Sequence, residues 1–133
     1  MSEGDPEVLA AFAEEAAERL EALEAGLLEL ERAPGAPQDE RLNAVFRDAH
    51  SIKAGANLLH LKKIETVAHV LENVLDSLRK GQLAPRGDVV QALLDGVDLL
   101  RDLLATPSAP DPASLPERLA ALQALLGRTP ETP

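Results

Sequence analysis

The 133-residue sequence has no cysteine, no tryptophan, no tyrosine and only two phenylalanines. Without thiols there is no disulfide framework and no thiolate metal site, and a reducing compartment is permitted. With so few aromatics, the 45% of residues that are apolar are mostly Leu, Ala and Val, so the core must be aliphatic, which suits helices packed on helices. No basic segment followed by an apolar stretch stands in the first twenty residues, so no secretory signal is expected. No run approaches the roughly 18 apolar residues that span a bilayer. Basic residues are also scarce: 13 Lys and Arg against 23 Asp and Glu leave a net charge of −10. Phosphate backbones and anionic lipids are bound by excess positive charge, so neither is expected as the main partner. Glycine-rich loops of the P-loop or dinucleotide type are missing as well. The length suits one domain.

What is present is an all-α pattern. Proline and glycine divide the chain into five segments that repeat apolar residues every three or four positions. The first, residues 6–32, starts at a capping Asp5 and Pro6 and aligns Leu9, Phe12, Ala16, Leu20, Leu23, Leu27 and Leu30, before Ala33-Pro34-Gly35-Ala36-Pro37 stops it. The second, residues 38–58, puts Leu42, Val45, Phe46, Ala49, Ile52 and Ala56 on one face and leaves Asn43, Arg47, His50 and Asn57 off it. The third, residues 62–80, is expected to bury Ile64, Val67, Leu71, Val74, Leu75 and Leu78, with Glu65, His69, Glu72 and Asp76 as a polar stripe and Gly81 as a left-handed stop. The fourth, residues 87–105, is apolar at Val90, Leu93, Leu94, Val97, Leu100 and Leu104.

A second proline-rich stop, Thr106 to Pro110, precedes a short final helix with Leu119, Leu122 and Leu126 on one face. Its start is either the capping box Ser114-Leu115-Pro116-Glu117 or Asp111-Pro112 a few residues earlier. Short connections predict an antiparallel up-and-down four-helix bundle with the additional C-terminal fifth helix packed alongside. Residues 1–127 then form the domain and 128–133 the start of a linker.

Charge is unevenly distributed. Residues 1–33 carry ten acidic and two basic side chains, whereas residues 41–63 carry Arg41, Arg47, Lys53, Lys62 and Lys63 against Asp48 alone. Such a cluster by itself is usually a solvated face, but this one surrounds His50. His50 and Lys53 are three residues apart on one helix, so both can address the same anion. Neutral imidazole is a nucleophile near pH 7 and can attack phosphorus to give a phosphohistidine. Lys53 would offset charge on the phosphoryl oxygens, and Ala54, one turn after His50, leaves the ring accessible. A carboxylate on one ring nitrogen would fix the tautomer and free the other nitrogen. Glu72 is the candidate, if the second and third helices pack antiparallel.

Other readings of the same residues stay open. A lone exposed histidine on a helix is more often incidental than functional, which is where His60 is placed; His69 stands open between the two readings. His50, His69, Glu72 and Glu65 also offer N and O ligands for zinc or iron, although Lys53 opposes a bound cation and no pair of Glu-x-x-His helices is present. A helical adaptor without chemistry is the other alternative, for which His50 would be dispensable.

Two runs carry a specific resemblance. Phe46-Arg47-Asp48-Ala49-His50-Ser51-Ile52-Lys53-Ala54-Gly55 and His69-Val70-Leu71-Glu72-Asn73-Val74-Leu75-Asp76 closely resemble the histidine phosphotransfer (HPt) domain of CheA-type chemotaxis histidine kinases. The specific part covers about thirty residues, while length and helix order match over nearly the whole chain. The resemblance implies that His50 is the phosphoacceptor, Glu72 orients its imidazole, Lys53 attends the phosphate and His69 belongs to the site network. It further implies docking of partners around Arg47, Ala54 and Asn57. Those partners are a histidine kinase ATP-binding domain and response-regulator receiver domains. On this reading the domain binds no cofactor or metal and performs no independent catalysis; the partner kinase domain uses ATP with Mg. The chain is expected to be cytoplasmic, monomeric as an isolated domain, and the amino-terminal piece of a dimeric kinase. Where the family usually carries glycines, this chain has Ala54, Asn57 and His60; Asn and His tolerate left-handed backbone better than most residues.

Overall fold

The computed structural model describes residues 6–32, 39–105 and 115–126. They form five helices: α1 (Pro6–Arg32), α2 (Asp39–Leu58), α3 (Lys62–Arg79), α4 (Gly87–Ala105) and α5 (Leu115–Leu125). The expected caps at Asp5 and Ser114, the Asp111-Pro112 start, both proline-rich stops, Gln38 and the tail lie outside the described residues.

The first four helices close a ring in which α1 packs on α2, α2 on α3, α3 on α4 and α4 back on α1. α5 lies against α3 and α4. The bundle is therefore all-α and the fifth helix covers one face, as expected. The core is aliphatic: Leu20, Leu23, Leu27 and Leu30 of α1, Ile52 of α2, Leu71 and Leu75 of α3, and Leu93, Leu99 and Leu100 of α4 have essentially no exposed surface. Burying each such side chain contributes about 1.5–3 kcal/mol relative to leaving it in water.

Two expectations about faces need correction. α4 buries Val89, Leu99 and Leu103, which were not on its expected stripe, while Leu94 and Leu104 are only half-buried. The physical reason is α5, which contacts α4 as well as α3 and so widens the covered face beyond one stripe. In α5 itself Leu125 is buried and Leu126 is 40% exposed.

The turn that sets α2 against α3 has a defined cause. His60 adopts a left-handed φ of 59°. The Leu61 N–H donates to the Ala56 carbonyl at 2.9 Å and the His60 N–H to the Asn57 carbonyl at 3.2 Å. These are the paired bonds that end a helix around a left-handed residue. The same device ends α3, where Gly81 has φ 74° and the N–H groups of Gln82 and Gly81 reach Ser77 and Leu78. Glycine is the residue expected there; His60 takes the conformation at some steric cost. Only three residues then separate α2 from α3, which forces them antiparallel.

Candidate functional site

His50 and Glu72 meet across the α2/α3 interface. Nδ1 of His50 is hydrogen-bonded to Glu72 Oε2. A carboxylate only accepts, so the ring carries its proton on Nδ1 and leaves Nε2 with a free lone pair. Lys53, one turn further along α2, donates from Nζ to the other oxygen, Glu72 Oε1, at 2.6 Å. Exposure grades across the three groups: the side chain of His50 is 55% exposed, that of Lys53 25% and that of Glu72 8%.

Glu72 had been expected on a polar stripe of α3, and the stripe's spacing is present, but the residue is not on the surface. It is the one charged side chain among the described residues that is buried, because α2 lies over that part of the stripe. Burial alone would raise its carboxyl, yet the hydrogen bonds from Lys53 and His50, with their charges, outweigh burial and hold it below the usual glutamate range. The carboxylate therefore stays ionised at neutral pH, within bonding reach of the imidazole.

The remaining sequence candidates fall in two groups. Arg47, Ala54 and Asn57 are exposed and follow His50's helical phase, so the four residues share one face of α2. Leu58 extends that face and is 77% exposed. His69 is exposed on α3 one turn before Glu72, but the bonds that unite His50, Glu72 and Lys53 do not include it. Glu65 does not join them either, and among the described residues no three His, Asp or Glu side chains converge as ligands for a metal.

Sequence reasoning missed one neighbour of the histidine and the residue that packs on that neighbour. Phe46, assigned to the core face, is only half-buried, and its ring lies nearly parallel to the His50 imidazole with centroids 6.2 Å apart. Its position four residues before His50 was the available signal. Arg79, from the last turn of α3, sits over Phe46 with its guanidinium carbon 3.9 Å from the ring centroid; nothing in the sequence pointed to it.

A family model for the Hpt domain matches residues 7–105. The chain belongs to the Hpt domain family. This Hpt domain is 42% identical over 97 residues to the chemotaxis protein CheA of Rhizobium meliloti, covering 73% of this chain and 12% of that protein. It is 36% identical over 117 residues to CheA of Salmonella typhimurium, covering 86% of this chain and 17% of that protein. The chain thus spans less than a fifth of the length of these relatives. Among solved structures, the phosphorylated P1 domain of CheA3 in complex with CheY6 from R. sphaeroides superposes with a TM-score of 0.79 at 26% identity, over 92% of this chain and 98% of that one. The solution structure of the histidine phosphotransfer domain of CheA gives 0.78 at 24% identity over 97% and 98%, which supports the fold. No helix among the described residues is long and apolar enough to cross a membrane.

Proposed function

We propose that this Hpt domain is a phosphocarrier in a two-component chemosensory system, with His50 receiving the γ-phosphoryl group of ATP from a histidine kinase catalytic domain and passing it to a receiver aspartate. The observation that carries the reading is the pairing of a half-exposed imidazole with a buried carboxylate on Nδ1. Membership of the Hpt family and the fold shared with a phosphorylated P1 domain support it.

In the forward step the Nε2 lone pair attacks the γ-phosphorus, an N–P bond forms, the bond to the β-phosphate oxygen breaks and ADP leaves. The ring, still protonated on Nδ1, becomes cationic, and ionised Glu72 stabilises that charge in place. No proton has to move, so the ring needs no separate base. In the return step a receiver carboxylate attacks the same phosphorus and Nε2 recovers its lone pair. ATP and its Mg belong to the kinase domain; this chain contributes the nucleophile and its orientation. Lys53 holds one oxygen of Glu72 and stands one turn from His50, where its charge also favours an incoming phosphoryl group. His69 is assigned to the edge of the site, and Arg47, Ala54 and Asn57 to the face on which partners dock. The parent protein on this reading is a dimeric, cytoplasmic CheA-type kinase.

The test is to incubate the chain with radiolabelled ATP and the ATP-binding core of its own kinase, beside His50→Gln. The expected result is acid-labile, alkali-stable label on the wild type, dependent on the core and lost in the variant. Folded wild type that takes no label would favour the adaptor reading.

A further inference from the structure

A second set of contacts reaches His50 and is not used by the chemistry above. Phe46 stands one turn before His50 on α2, and the two rings are inclined by only 14° with centroids 6.2 Å apart, inside the range where paired π systems attract. Phe46 is in turn held from α3, by the guanidinium of Arg79 with Cζ 3.9 Å from its centroid, a cation–π distance. Arg79 is itself oriented by two acceptors: Nη2 donates to Asp76 Oδ1 at 2.6 Å and Nη1 to Asn43 Oδ1 at 3.5 Å. The second Asp76 oxygen takes the ammonium of Lys80 at 2.9 Å. These hydrogen bonds hold the Asp76 carboxyl below its usual range, so the anchor for Arg79 is ionised at neutral pH.

The contacts form two rungs between the same pair of helices. Glu72 and Asp76 are one turn apart on α3, and His50 and Phe46 are one turn apart on α2. The upper rung is the His50–Glu72 hydrogen bond; the lower is the Phe46–Arg79 contact fixed by Asp76. One hydrogen bond on the Nδ1 edge leaves a ring as exposed as His50 free to rock about that bond. A flat neighbour held parallel to it removes much of this freedom, and holding that neighbour requires something on α3.

We propose that Arg79 is a positioning residue for His50: acting through Phe46, it holds the imidazole plane so that Nδ1 meets Glu72 and Nε2 faces outward. This deepens the phosphocarrier reading and rests on it only for the rate of phosphorylation. The competing role is a purely structural tie between α2 and α3, which would affect stability and nothing at the ring.

The experiment compares wild type, Arg79→Met, Arg79→Lys and Phe46→Leu of this chain, isotopically labelled. Imidazole nitrogen correlations give the share of the Nδ1–H tautomer of neutral His50, and phosphoramidate, a small donor that needs no docking partner, gives the intrinsic rate at Nε2. Arg79→Met and Phe46→Leu are expected to mix the tautomers and slow phosphorylation by about 2- to 5-fold, with a melting temperature changed by less than about 5 °C. Arg79→Lys, which keeps a cation near the ring, is expected to recover part of both. Wild-type tautomer ratio and rate in Arg79→Met, or a Lys variant no better than Met, would overturn the proposal. If Arg79→Met does not fold, Arg79→Lys and Phe46→Leu carry the comparison, Phe46 being only half-buried. If wild type accepts no phosphoryl group from phosphoramidate, the tautomer comparison still decides the role of Arg79, and the phosphocarrier reading is decided by the kinase-core assay above.

Discussion

Two carboxylates flank α2 at its two interfaces, and they are driven in opposite directions. Glu72, at the α2/α3 interface, accepts from Lys53 and His50 and is held below its usual range despite burial. Asp48, at the α1/α2 interface, is raised: burial dominates, and Arg19, bonded at 3.4 Å, lowers it only in part. Both side chains are largely covered, at 8% and 18% exposed, so burial alone does not separate them. The difference is the number and quality of donors. Two charge-assisted bonds, the one from Lys53 at 2.6 Å, outweigh desolvation where a single bond at 3.4 Å does not. The donors gathered at the α2/α3 interface include an exposed imidazole, the group to which the proposed function assigns the chemistry.

Glu72→Gln is expected to have the largest effect at the α2/α3 interface. The amide carries no charge to balance a cationic ring, and phosphorylation of His50 is expected to fall on the order of 10- to 100-fold. Glu72→Ala leaves Lys53 and His50 without their acceptor and should cost about 1–3 kcal/mol in denaturant unfolding; helical circular dichroism is expected to survive, and its loss would assign the residue to structure. Lys53→Met removes one donor and makes Glu72 resemble Asp48. It is expected to slow phosphorylation by roughly 10-fold or less and to move the Glu72 carboxyl upward in a carbon-detected titration.

The opposite shifts also have opposite linkage. Glu72 titrates lower in the folded than in the unfolded chain. Its contribution to stability is full above the ordinary glutamate value of 4.5 and is lost as pH falls through the folded value. Asp48 titrates higher when folded, so its contribution is full below the ordinary aspartate value of 3.8 and is lost as pH rises through the folded value. Asp48→Asn is therefore expected to gain stability relative to wild type on going from acid to neutral pH, by less than about 1 kcal/mol, while phosphorylation of His50 is unchanged. Urea unfolding across pH 3 to 7 (about four units) measures this directly.

Much of the architecture was legible because helical periodicity, proline and glycine are local signals. The bounds of α1 and α4 and the left-handed stop at Gly81 follow from residues within a few positions of each end. The faces of α4 and α5 were harder, because which leucines are buried depends on a fifth helix lying across α3 and α4. The site divides the same way. His50, Lys53 and Ala54 share one helix, and their spacing alone places them together. Glu72 was named as the partner from chemistry, but its burial and the double acceptance from His50 and Lys53 depend on the register between two helices. Arg79 was invisible for that reason: it lies seven residues beyond Glu72 in sequence and reaches His50 only through a ring on the other helix.

On the proposed function, Glu72 holds Nδ1 and leaves Nε2 as the nucleophile. Phosphorus–nitrogen coupling in the labelled, phosphorylated chain identifies the nitrogen that carries the phosphoryl group. Nε2-phosphohistidine at position 50 is the expected product; phosphorus on Nδ1, or on a residue other than His50, would contradict the role proposed for Glu72.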